Sequence, residues 1–230
     1  MEIYADTAQI DEIMSVRDTV TGITTNPTLM RKAKVQNYIE HAEILALTFS
    51  DKPLSLEVIA DDPVDMIVQG NRLAEIGSNV IVKIPIVNSR GESCQQAIQE
   101  LTAANITINV TAVFTYEQFE TARSALLKRG GIISVFAGRI ADTGINPIPM
   151  ISQMAERNSR DHKHLVKLLW ASTREILNYQ HAERAMCDII TMTPEQILKM
   201  SALRYKNLEA FSMETAKMFY DDATKSGYTI

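Results

Sequence analysis

Short apolar runs rich in β-branched residues recur along the chain, each followed by a stretch whose apolar positions return at helical spacing. The runs begin near Ile3, Val20, Leu54, Val80, Ile106, Ile132, Leu165 and Cys187. Most are continuous rather than alternating, the pattern of parallel strands covered on both faces. From Leu54 to Val80 to Ile106 to Ile132 each interval is 26 residues, room for one strand, one helix and two short loops. Helix-start signals punctuate these intervals. Asp62-Pro63 is an N-cap followed by proline at the first helical position, and Thr115 with Gln118 and Thr193 with Gln196 fit the capping box. Phe119, Ala122 and Leu126 then keep one helical face.

Eight strand and helix units predict an α/β protein, a single (β/α)8 TIM barrel over residues 1–230. A doubly wound open sheet would carry a glycine-rich turn after its first strand. Neither G-x-G-x-x-G nor a P-loop pattern occurs, and no linker or low-complexity segment divides the chain. Past the eighth unit, residues 201–223 read as one extra C-terminal helix. Its Leu203, Leu208, Phe211, Met218 and Phe219 fit packing on its own barrel or on a neighbouring subunit equally well.

One residue breaks the apolar pattern. Lys83 sits inside Val80 to Val87, VIVKIPIV, where a buried amine loses its hydration. Two readings stand: a functional amine, or a strand-end lysine whose stem covers apolar surface while its head reaches water.

Composition narrows the field of functions. Hydrophobic residues are 46% and charged residues 22% of the 230, ordinary for a globular protein. The net charge of −5, with no extended basic run, argues against nucleic acid or an anionic membrane as partner. No apolar stretch reaches membrane-spanning length, and the MEIYADT start is acidic where a signal peptide is basic, so a cytoplasmic location is expected. Cys94 and Cys187 are too few and too distant for a disulfide framework or thiolate metal site, and His41, His162, His164 and His181 fall in no zinc-type spacing. Asn105-Ile-Thr107 and Asn109-Val-Thr111 match the glycosylation pattern by chance if nothing is secreted.

Active sites of this fold are built at the C-terminal ends of the strands. Those ends carry Asp6, then Thr24, Thr25 and Asn26, then Glu57, Lys83, Asn109 with Thr111, Ser134 with Phe136 and Arg139, and Ser172 with Arg174. Each alone has a structural reading: Asp6 as a helix cap, Thr24 to Pro27 as a turn, the arginines as solvated charges. Two carboxylates, one amine, two guanidiniums and several amides on one rim suit a reaction site.

GITTNPTL (Gly22 to Leu29), VIVKIPIV around Lys83, NVTAVF (Asn109 to Phe114), SVFAGRIADTG (Ser134 to Gly144), WASTRE (Trp170 to Glu175) and DIITMTP (Asp188 to Pro194) occur in order over almost the whole chain. Together they resemble the small members of the transaldolase family. The resemblance implies transfer of a dihydroxyacetone unit from sedoheptulose 7-phosphate or fructose 6-phosphate to glyceraldehyde 3-phosphate or erythrose 4-phosphate, through a Schiff base on Lys83. A lysine amine, with an unperturbed pKa of about 10.4, must lose a proton before it attacks a carbonyl.

By the same resemblance, Asp6 moves the C4 hydroxyl proton during bond cleavage, and Glu57 with Thr24 or Thr111 holds the water that forms and hydrolyses the imine. Asn26 and Asn109 fix sugar hydroxyls, Ser134 positions the ketose, and Arg139, Ser172 and Arg174 bind the phosphate. The protonated imine serves as electron sink, so neither metal nor cofactor is implied. The rival within the family, fructose-6-phosphate aldolase, releases free dihydroxyacetone; Phe136 and Glu57, where aldolase-like members would carry tyrosine and glutamine, favour transfer. Val87 and Asn146 depart from the usual threonine and aspartate, which bears on substrate preference. A non-catalytic sugar-phosphate-binding barrel and an isomerase are the readings from other classes, and both leave Lys83 without covalent work. The family also implies a homo-oligomer, possibly a decamer of two pentamers, with residues 201–223 at an interface.

Overall fold

The computed structural model describes residues 1–160 and 165–230; His162 and His164 lie outside the described residues. Eight strands, β1 (Glu2–Asp6), β2 (Gly22–Thr24), β3 (Leu54–Glu57), β4 (Val80–Pro85), β5 (Ile108–Val113), β6 (Gly131–Val135), β7 (Val166–Trp170) and β8 (Ile189–Met192), run parallel in chain order and close on themselves, β8 pairing with β1. The fold is the expected (β/α)8 barrel. β3 and β4 begin at the predicted residues, while β5 starts two residues later and β6 one residue earlier than the regular interval suggested.

Local chemistry sets the helix starts. The Asp62 side chain accepts from the backbone of Val64 at 2.9 Å, Thr115 and Gln118 form the full capping box, and Thr193 and Gln196 exchange the same two bonds at 3.3 and 3.1 Å. Apolar packing backs the strands. Tyr4, Ile132, Leu169, Ala171 and Ile189 form one buried cluster with Ile81 and Phe136 packed against it, and each large aliphatic chain so buried contributes about 1.5–3 kcal/mol. A Cβ at Gly22 would lie 2.5 Å from the Tyr4 ring, so any larger residue there would have to displace that buried ring.

Residues 1–197 make up the barrel and residues 198–230 a second compact unit. The single helix expected over 201–223 is two helices in the structure. The helix Pro194–Leu203 ends before Tyr205, whose φ is +64°, and the helix Leu208–Ser226 starts afresh with Asn207 accepting from Ala210 N at 2.9 Å. The second helix has no buried residue. Among the described residues no helix is long and apolar enough to cross a membrane.

Candidate active site

Adjacent strands bring the polar residues into one layer by register: Asp6 pairs with Thr24, and Glu57 with Lys83, which in turn pairs with Asn109. Above this layer lies a cavity of about 470 Å³ lined by Asp6, Thr24, Asn26, Glu57, Lys83, Thr111, Ser134, Phe136, Arg139, Ser172 and Arg174. Eleven side chains singled out in the sequence therefore share one cavity at the strand C-termini.

Lys83 is 5% exposed. It does not reach solvent from a strand end; its Nζ donates to the carbonyl oxygen of Thr25 at 3.0 Å and lies 3.1 Å from Glu57 Oε2. Glu57 is in turn backed by Tyr38, whose hydroxyl donates to the Glu57 carbonyl oxygen at 2.7 Å. Burial, and after it the Glu57 charge, raises the Tyr38 phenol, which stays protonated.

Across the cavity, Asp6 Oδ1 accepts from Thr24 Oγ1 at 2.8 Å, and Thr24 Oγ1 sits 2.6 Å from Thr191 Oγ1. Loss of hydration pushes the Asp6 carboxyl above its ordinary value, against the Lys83 charge, the Thr24 hydrogen bond and the Lys32 charge, which pull it down. Thr111 differs from Thr24. Its hydroxyl is buried and has no hydrogen-bond partner, and it stands at a bulge in β5, where Ala112 has φ +56° and the pairing with β6 shifts register.

Asn109 behaves otherwise. It is fully buried beneath the cavity rather than on its wall, accepting from Ser134 Oγ at 2.7 Å and donating to Ser55 Oγ at 3.1 Å. Its amide reaches the cavity through Ser134. Asn26 is partly engaged as well, since Oδ1 caps the helix Pro27–Lys32 by accepting from Leu29 N at 3.0 Å.

Phe136, Arg139, Ser172 and Arg174 lie just past their strands rather than on them. β6 ends at Val135 and β7 at Trp170; Phe136 immediately precedes the helix Ala137–Asp142, which carries Arg139. The Arg139 guanidinium lies 5.5 Å from the Phe136 ring centroid, and Phe136 packs tilted on Phe114 at 5.6 Å. Ser172 holds the left-handed φ of +66°, and its carbonyl approaches Gly138 so closely that a Cβ at 138 would fall 1.5 Å from it.

The structure adds residues that the strand-end reading missed. Lys32 lines the cavity from a helix, Thr191 and Thr193 line it from the end of β8, and Thr173 completes the β7 loop. Thr191 and Thr193 fall in the DIITMTP run, a signal that was available; Lys32, at the last turn of a six-residue helix, had none. Among the described residues no group of three histidine, cysteine or acidic side chains is placed to hold a metal.

The chain matches the model of the transaldolase/fructose-6-phosphate aldolase family over residues 3–228, and it belongs to that family. Curated relatives described as probable transaldolases include a protein of Bdellovibrio bacteriovorus, 32% identical over 228 residues covering 98% of this chain and 99% of the relative. Another, from Nitrosopumilus maritimus, is 32% identical over 203 residues, 87% of each chain. Among solved structures, a 3-hexulose-6-phosphate synthase superposes with a TM-score of 0.60 at 12% identity, covering 84% of this chain and 90% of its own, which is a likeness of fold alone.

Proposed function

We propose that this chain is a cytoplasmic transaldolase that moves a dihydroxyacetone unit between phosphorylated sugars through an imine on Lys83. The observation that carries the reading is the buried Lys83 amine held between Glu57 and Thr25 at the floor of a polar cavity. An ion pair so placed costs desolvation that binding a sugar does not require.

In the proposed reaction the Lys83 amine attacks the C2 carbonyl of the ketose phosphate, and loss of water leaves a protonated imine. Glu57 holds and activates that water. Thr111 suits the same task better than Thr24, because its hydroxyl is unpartnered while Thr24 is committed to Asp6 and Thr191. Asp6 takes the C4 hydroxyl proton as the C3–C4 bond breaks, and the electron pair moves into the imine to give an enamine. The aldose phosphate departs, an acceptor aldehyde takes its place, and the steps run backwards.

Ser134, backed by Asn109, positions the donor, Asn26 offers its amide nitrogen, and Arg139, Ser172 and Arg174 face the phosphate. Phe136 offers the enamine no proton, so transfer outcompetes release of free dihydroxyacetone. The helix Leu208–Ser226, which exposes Leu208, Phe211, Met213 and Phe219, is taken to pack on another copy in a homo-oligomer. A solution mass of one chain by light scattering would refute that assembly.

The test is a coupled assay with fructose 6-phosphate and erythrose 4-phosphate. Wild type is expected to form sedoheptulose 7-phosphate and glyceraldehyde 3-phosphate, and Lys83→Met to form neither while melting cooperatively. Steady release of dihydroxyacetone without transfer assigns the aldolase activity instead.

A further inference from the structure

Arg174, the cation of the β7 loop, is already gripped on one edge. Its Nε donates to Asp142 Oδ1 and Oδ2 at 3.1 and 3.0 Å, and its Nη2 to Oδ2 at 2.5 Å. Among the described residues Nη1 has no hydrogen-bond partner, and the residue lines the cavity. The backbone is fixed too, Arg174 N donating to Asn178 Oδ1 at 2.8 Å. Asp142 closes the short helix Ala137–Asp142, so the element that carries Arg139 also carries the carboxylate that holds Arg174.

We propose that Asp142 is a positioning residue for the phosphate site: it fixes the plane of the Arg174 guanidinium so that Nη1 and the outer hydrogen of Nη2 form a fork aimed into the cavity. The proposal deepens the reading above and rests on it, since it takes a substrate phosphate as the group that Arg139 and Arg174 face. A free arginine side chain spends rotamer entropy on each new bond, whereas one held at two points by a carboxylate offers its remaining fork preorganised.

Asp142 also carries a negative charge close to where a phosphate binds, and the two effects have opposite signs. Repulsion alone predicts that neutralising Asp142 tightens phosphate binding; orientation predicts that it weakens it. Orientation dominates here, because the Asp142 side chain is 52% exposed and its charge is screened by water and salt, while the contact to Arg174 is direct.

The experiment titrates the full-length protein with inorganic phosphate by calorimetry, using wild type, Asp142→Asn, Asp142→Ala and Asp142→Glu. Phosphate binding is expected to weaken about tenfold in Asp142→Asn and Asp142→Ala, the lower end of what loss of an orienting partner costs at metal sites, with part restored in Asp142→Glu. In turnover, KM for fructose 6-phosphate rises while kcat holds. Turnover of unphosphorylated fructose, which has no use for Arg174, stays at the wild-type rate. Unchanged or tighter phosphate binding in Asp142→Asn overturns the proposal, as does an equal loss with both donors, which marks a structural role. A wild type that binds phosphate but transfers no three-carbon unit sinks the catalytic reading instead, and Asp142 is then judged on the titration.

Discussion

Lys83 Nζ lies 3.1 Å from Glu57 Oε2, the two residues paired across β3 and β4 in register. The side chains are 6% and 17% exposed, so each charge depends on the other for what water no longer supplies. Removing one partner of a buried pair leaves the other uncompensated, which costs about 3 kcal/mol. Glu57→Ala should therefore lower the unfolding midpoint in urea, and adding Lys83→Met should recover much of the loss. A double-mutant cycle is expected to report about 1–3 kcal/mol of coupling. Strictly additive losses would separate the two residues energetically.

In the proposed reaction Asp6 sets function against stability. Its carboxyl is raised above 3.8 by burial, so the folded protein holds that proton more tightly than the unfolded chain. Stability consequently falls as pH rises from the unfolded value through the folded one, and the penalty is fully present above both. Asp6→Asn should raise the melting temperature at pH 7, with the advantage shrinking as the pH is lowered toward 3.8. Transfer should slow by about 10²–10⁴-fold, the usual worth of a general acid–base group. A variant less stable than wild type at pH 7 contradicts the assignment of a desolvation penalty to Asp6.

Phe136 faces the cavity with Arg139 over its ring, so a hydroxyl added to that ring enters a site otherwise without a phenolic donor at that wall. Phe136→Tyr should supply a proton to the enamine and raise the ratio of free dihydroxyacetone to transferred product, measured by chromatography with and without erythrose 4-phosphate. An unchanged ratio means that the residue does not govern how the intermediate is discharged.

The barrel was legible because a parallel sheet covered on both faces needs continuous apolar runs, and a charged residue inside one, Lys83, stands out. Asp6 and Glu57 were legible for a related reason: they end β1 and β3, and the fold turns strand ends into a rim, whereas Thr111 lies two residues short of the end of β5, at its bulge. Position along a strand does not give depth, so Asn109 read as a wall residue although it lies beneath Ser134. Nor does it reach side chains that helices supply, and Lys32 and Asp142 come to the site from the Pro27–Lys32 and Ala137–Asp142 helices. The break between the last two helices was hidden as well. Arg204 to Asn207 contains no glycine or proline, and the left-handed turn is taken by Tyr205.

Reduction with borohydride in the presence of fructose 6-phosphate tests the covalent role of Lys83 most directly. Peptide mass spectrometry should find one reduced sugar-derived adduct, on the peptide that contains Lys83, and none in Lys83→Met. Wild-type protein that turns over the sugar yet yields no adduct, or an adduct that persists in Lys83→Met, would contradict the account.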